Sequence, residues 1–361
     1  MHHHHLPLIS NVPLLPSSLI LCPPSPNSRS PRRRITLVRA SMDGNGELPL
    51  VLLVRPLFPA FEDSLRQHFR FLLPWESTLP THEFLSANAR SIRALLCFGP
   101  SPVDGSTLSC LPGLQCVVAT SAGVDHIDMD ECRRRGILVT NAGDVFSDDA
   151  ADYAVGLLID VLRRISASDR FVRSGLWPIR GHYPLGFKLG GKRVGIIGLG
   201  SIGSRVAKRL EAFGCTILYH SRTTRPSLAY KYFSNVCDLA AESDVLIVTC
   251  ALTRETHHLI NKDVLLALGK DGVVINIGRG ALIDEKELVR CLREGVIGGA
   301  GLDVFENEPN VPKELFAMDN VVLSHHRAIF TPESFSGLLQ LVIDNLKAFF
   351  DGRPLLSPIS A

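Results

Sequence analysis

Between residues 193 and 203 the chain reads Arg193-Val194-Gly195-Ile196-Ile197-Gly198-Leu199-Gly200-Ser201-Ile202-Gly203. Glycines at this spacing act through the backbone. Gly198 permits a tight turn, Gly200 lets the main chain approach a pyrophosphate, and Gly203 allows a helix to pack closely on a strand while its first amides face the phosphates. The spacing alone is weak evidence. Here an apolar strand leads in and an amphipathic helix carrying Val206, Leu210 and Phe213 leads out, which is the context a dinucleotide site requires. About 20 residues further on, a site for NAD places an Asp or Glu against the ribose 2′-hydroxyl. This chain has Tyr219-His220-Ser221-Arg222-Thr223-Thr224-Arg225 there, with no acid. A carboxylate would repel a 2′-phosphate, whereas Ser221 and the Arg222 guanidinium, with Thr223 beside them, would bind one. The bland alternative is a solvated basic loop; the pattern is read as NADP(H).

Asn276-Ile277-Gly278-Arg279-Gly280 follows another apolar run, at a strand end where α/β sheets place their ligands. An Arg between two glycines has little local surface to cover, so anion binding competes with an ordinary surface role. Asp303-Val304-Phe305-Glu306-Asn307-Glu308-Pro309 and Val321-Val322-Leu323-Ser324-His325-His326 come next. They bring carboxylates and imidazoles to the ends of two more runs.

These groups need a frame to hold them. Short apolar runs at 48–54, 94–98, 115–120 and 137–140 alternate with helical stretches, the mark of a parallel sheet covered on both faces. A helix is predicted from Ser147-Asp148-Asp149, where small and acidic residues suit an N-terminus. It runs through Tyr153, Val155, Leu157, Leu158, Val161 and Leu162, so apolar that it must lie between layers or against a second subunit. Six further runs, at 194–198, 216–219, 245–250, 273–277, 299–304 and 321–324, match a complete dinucleotide-binding sheet. A last helix from Pro332 aligns Phe335, Leu338, Leu339, Val342, Leu346 and Phe349 on one face.

With these motifs assembled, the chain resembles the D-2-hydroxyacid dehydrogenase family, and within it the plant glyoxylate/hydroxypyruvate and hydroxyphenylpyruvate reductases. The resemblance covers 48–357. It rests on Ala122-Gly123-Val124-Asp125-His126-Ile127-Asp128, the glycine turn, Asn276 to Gly280, and Gly301-Leu302-Asp303-Val304-Phe305. It implies an α/β fold of two doubly wound parallel-sheet domains. A Rossmann NADP-binding domain (143–330) would be inserted in a flavodoxin-like substrate domain (48–142 and 331–361). The family's catalytic positions fall on Arg279, Glu308 and His326. Arg279 would bind the carboxylate of a 2-oxo acid and polarise its ketone, and His326, paired with Glu308, would give a proton to the forming alkoxide. Phe98, Gly99, Ala122 and Gly123 would contribute backbone amides to the substrate carboxylate. Cys250, Ile277 and Asp303 would join the cofactor site, although Asp303 also reads as a residue that orients its neighbours. A homodimer is implied, and Trp177 is placed either in the neighbouring subunit's pocket or in ordinary interface packing. Asp125, His126 and Asp128 match a family turn and are read as structural.

The sequence departs from the family's Pro-His-x-Gly with His325-His326-Arg327-Ala328, which frees one backbone dihedral and adds a cation beside the site. Three rivals stay open: NAD-linked phosphoglycerate-type oxidation, formate oxidation, and a cofactor-sensing interaction protein of the same fold. The lack of an acid at Ser221 counts against the first, and Glu308 in place of the Gln of formate enzymes counts against the second. A 2-oxo acid turnover assay separates the third.

Composition narrows the classes further. The chain has 361 residues, 45% hydrophobic and 20% charged, which fits a globular protein with a sizeable core and excludes global disorder. The net charge of +2 is uneven. Residues 1–41 hold five Arg and no acid, leaving −3 for 42–361, and that mildly acidic body gives no nucleic-acid surface. No run of 18 apolar residues occurs, so no membrane span is expected. The leader (1–47) is expected to be disordered; its Arg- and Ser-rich first 41 residues read either as an organelle transit peptide or as an extension upstream of Met42, leaving a plastid or cytoplasmic location open. Nine Cys are scattered singly, without metal-ligand spacing, and read as reduced thiols; no metal site is expected.

Overall fold

Two parallel sheets organise the chain. The computed structural model describes residues 47–99 and 101–359; the leader expectations fall outside the described residues. The first sheet contains β1 (Leu50–Leu53), β2 (Arg70–Leu72), β3 (Ala94–Cys97), β4 (Cys116–Ala119) and β5 (Leu138–Thr140), in the order β2-β1-β3-β4-β5. This is the flavodoxin-like order. The second contains β6 (Arg193–Ile197), β7 (Thr216–His220), β8 (Lys231–Tyr232), β9 (Val245–Val248), β10 (Val273–Asn276), β11 (Gly299–Leu302) and β12 (Val321–Leu323). Its order, β12-β11-β10-β9-β6-β7-β8, is that of a Rossmann sheet with one extra strand.

The continuous apolar runs become central strands because each strand is buried on two faces. In β9, Val245 and Ile247 enter one hydrophobic cluster while Leu246 and Val248 enter the opposite one. In β3, Ala94 and Leu96 face one side and Leu95 and Cys97 the other. Two strands escape the sequence pattern. β2 and β8 are edge strands of three and two residues, too short to show a period, so the second sheet has seven strands rather than six.

Two crossings join the sheets. The Ser147–Arg163 helix buries Leu157, Leu158 and Val161 and crosses β11 where Gly299 and Gly301 leave room for Val161 and Leu157. The Pro332–Phe350 helix returns to the first sheet, burying Leu338, Val342, Ile343 and Leu346 against Val51, Leu53 and Val118. Asp149 clamps the two crossings together, accepting from Thr331 Oγ1 (2.6 Å) and Ser334 Oγ (2.7 Å). The last described residue, Ile359, lies beside β5, its amide donating to the Val139 carbonyl.

Candidate active site

The glycine turn closes as its spacing requires. Gly198 has φ +96°, and a Cβ there would lie 2.6 Å from the Cys250 backbone, so no other residue fits the turn without moving the end of β9. A Cβ at Gly203 would fall on the Gly198 carbonyl oxygen and 2.9 Å from Thr249 Oγ1. Gly200 is different: a Cβ there would meet no atom within 4 Å. Packing inside the protein does not ask for glycine at 200, but the close approach of a pyrophosphate does, directly before the Ser201–Ala212 helix. The residues fit a dinucleotide. Leu199 is buried beneath the turn, and Ser201 Oγ donates to Asp144 Oδ1 (2.6 Å) while accepting from Arg205.

At the end of β7, Ser221 Oγ donates to the Thr223 carbonyl (2.6 Å), and Arg222 and Thr223 are exposed. The acid-free stretch acquires a carboxylate in space. Glu255, from the turn after β9, is held below the usual carboxylate range first by a hydrogen bond from Thr253, with Arg254 and Arg222 adding their charges. Cys250 packs against the Gly198 turn, with burial pushing its thiol up to about 11. Ile277 is buried after β10.

Arg279 follows β10 in the second sheet and reaches across to the loop after β4 in the first. Its Nε donates to Asp125 Oδ1 (3.1 Å) and its Nη1 to the Gly278 carbonyl (2.9 Å). Its Nη2 lies over Gly123, so closely that a Cβ on Gly123 would overlap it. Gly280 lets this segment press on the next loop, because a Cβ there would overlap the Phe305 carbonyl and the Glu306 amide. That loop carries Glu308. Its Oε1 accepts from the Phe305 amide (3.1 Å) and its Oε2 lies 2.8 Å from His326 Nδ1. Burial pushes the Glu308 carboxyl up, but the bond to His326, the His326 charge, the Phe305 amide and Arg279 together bring it below the usual range.

His326 has φ +52°, a left-handed backbone that costs a non-glycine residue of order 1 kcal/mol or more. Asp303 holds it there. The Asp303 carbonyl accepts from the His326 amide (2.7 Å), and its buried carboxylate accepts from Ser324 Oγ (2.7 Å), the Arg327 amide (2.9 Å) and the Ala328 amide (2.9 Å). The Arg327 side chain lines a groove shared with Asp149, Asp152 and Asp160 on the Ser147–Arg163 helix.

The substrate-side amides divide. The Gly99 amide donates to Thr120 Oγ1 (3.0 Å), so it is spent inside the fold and not free for a carboxylate as expected from the sequence. Phe98 places its ring 5.5 Å from that of Phe58. The Ala122 and Gly123 amides have no acceptor among the described residues. Asp125 was read as a structural turn residue, yet it is the partner that fixes Arg279. Only the folding together of β4 and β10 reveals it, 154 positions apart. Among the described residues no cluster of His, Cys, Asp or Glu is placed to hold a metal ion, and no helix is long and apolar enough to cross a membrane.

Residues 155–328 match the family model for the D-isomer specific 2-hydroxyacid dehydrogenase NAD binding domain. A glyoxylate/hydroxypyruvate reductase of Arabidopsis thaliana is 58% identical over 322 residues, 88% of this chain and 99% of the relative. The chain belongs to the D-isomer specific 2-hydroxyacid dehydrogenase family. Another member, a hydroxyphenylpyruvate reductase of Plectranthus scutellarioides, is 47% identical over 86% of this chain and 98% of its own length. Among solved dehydrogenases, the NADPH-dependent glyoxylate/hydroxypyruvate reductase of Sinorhizobium meliloti, in complex with NADP and malonate, has a TM-score of 0.80 and 37% identity. The match covers 86% of this chain and 97% of that one.

Proposed function

We propose that this chain is an NADPH-dependent reductase of small 2-oxo acids, glyoxylate and hydroxypyruvate first among them, giving the D-2-hydroxy acid. One observation carries the reading. Arg279, from the second sheet, lies against Gly123 of the first and within electrostatic reach of the Glu308–His326 pair. The names of the family relatives and of the structural neighbour support the substrate class and the nucleotide.

In this reading the substrate carboxylate spans Arg279 Nη2 and the free Ala122 and Gly123 amides. Asp125 holds Nε and the Gly278 carbonyl holds Nη1, so the guanidinium is fixed with Nη2 left for the carboxylate and ketone. The bond from Nδ1 to Glu308 orients the His326 ring and leaves Nε2 as the proton donor to the forming alkoxide. NADPH, when bound, supplies the hydride. The turn at 198–203 holds the pyrophosphate, Ser221, Arg222 and Thr223 take the 2′-phosphate, and Cys250 and Ile277 line the path between. Asp303 has one of about four acceptor positions left beyond its three bonds, available to the nicotinamide carboxamide.

The assembly reading is a homodimer. Ile165, Trp177, Ile179 and Leu185 are more than half exposed, and Val172 half exposed, along the segment that follows the Ser147–Arg163 helix, apolar side chains that a second copy would cover. The activity test is NADPH oxidation by glyoxylate and by hydroxypyruvate. Turnover with both supports the proposal, and no turnover with any 2-oxo acid overturns it in favour of a cofactor-sensing protein.

A further inference from the structure

We infer that Arg55 forms a second substrate subsite, which recognises an oxygen-bearing group on C3 of the 2-oxo acid; the inference rests on the reductase reading above. Arg55 stands just past the carboxyl end of β1, and Phe98 and Gly99 just past that of β3. These two strands are neighbours in the sheet, with β2 leaving to one side and β4 to the other. They form the point where the strand order reverses, and a sheet of this topology opens its ligand crevice there.

The Arg55 guanidinium has no hydrogen-bond or ion-pair partner among the described residues, whereas Arg279 is held by Asp125. A Cβ on Gly99 would lie 3.6 Å from Arg55 Nη1, so the cation rests over a residue without a side chain, at φ +63°. The Gly99 amide is turned away to Thr120. The donor that this wall of the cleft offers is therefore Arg55, not the backbone. Phe98, the residue before Gly99, belongs to an aromatic group: Phe58 meets Phe98 at 5.5 Å and Phe335 at 5.7 Å, both edge to face. An unpaired cation discriminates for a hydroxyl or carboxylate and against a methyl group, because its hydrogen bond is charge-assisted and poorly matched by an apolar substituent.

The C1 carboxylate is already provided for by Arg279 with the Ala122 and Gly123 amides. Arg55 is left for the far end of the substrate.

The test is steady-state kinetics of the full-length enzyme and its Arg55→Met and Arg55→Lys variants with glyoxylate, pyruvate, hydroxypyruvate and oxaloacetate. Removing a charged hydrogen bond should lower kcat/KM for hydroxypyruvate and oxaloacetate by about 10- to 100-fold in Arg55→Met. Glyoxylate, which has no C3, and pyruvate should change by less than about threefold, and Arg55→Lys should recover part of the loss. Equal losses on all four acids would assign Arg55 to the C1 carboxylate and overturn the inference, as would unchanged kinetics on all four. If the unmodified enzyme reduces none of the acids, the reductase reading itself has failed, which is a different outcome.

Discussion

Gly123→Ala isolates the contact on which substrate binding depends. A Cβ at this position would overlap Arg279 Nη2 and lie 2.8 Å from Asp125 Oδ1 and 3.0 Å from Arg279 Cζ. Ordinary contact begins at about 3.5 Å, so the guanidinium must retreat by roughly 1 Å. Gly123 has no left-handed φ, so alanine is not opposed by the backbone. The clash is with the end of a side chain, and an off-rotamer shift costs about 0.5–1.5 kcal/mol. The fold should survive with little change in Tm. Catalysis should not: a misplacement of about 1 Å costs on the order of 100-fold, or about 2.7 kcal/mol of transition-state stabilisation. The assay is kcat/KM for hydroxypyruvate with saturating NADPH, alongside NADPH affinity by fluorescence. A fall of about 100-fold with unchanged nucleotide affinity is expected. Wild-type kinetics would refute the placement of Arg279 over Gly123.

The Gly200→Ala variant tests the cofactor side in the same way. It meets no protein atom, so Tm should hold, yet NADPH affinity should fall by about tenfold or more as a methyl group enters the pyrophosphate path. Arg222→Ala should weaken NADPH by about 10- to 100-fold while NADH changes little; equal losses would remove the 2′-phosphate assignment. Because Glu308 is held below its usual range, its ionised form is favoured by folding. The stability difference between wild type and Glu308→Gln should be fully present just above the ordinary carboxyl value of 4.5 and shrink as pH falls below it. A difference that instead grows below that pH would contradict the pairing with His326. Cys250, its thiol raised to about 11, should alkylate slowly at pH 8, and fast labelling there would show it outside the packed turn.

What the sequence reveals and what it hides divides along physical lines. The central strands were legible because burial on both faces leaves unbroken apolar runs, as in Val245 to Val248. β8, two residues at an edge, carries no such signal. The glycine turn was legible because Gly198, Gly200 and Gly203 fall within six residues, although the backbone that excludes a side chain at Gly198 comes from the distant Cys250. Asp125 was hidden for the opposite reason. An Asp in a short turn has many local explanations, and its partnership with Arg279 exists only once two separate sheets have closed on each other. Gly99 misled in the same way, since the Thr120 hydroxyl that occupies its amide comes from the neighbouring strand end. Asp303 was legible in part; its three bonds to residues 324–328 show how a chain with His325 in place of the family's proline still holds His326 at a left-handed backbone angle.

The central claim is that His326 gives the proton while Arg279 holds the acid. Single-turnover reduction of hydroxypyruvate by the NADPH-loaded His326→Ala variant tests it most directly. The account predicts a rate lowered by about 100- to 10,000-fold with NADPH affinity preserved. A rate within a few fold of wild type would contradict it, and would move proton donation to another group, His325 being the adjacent candidate.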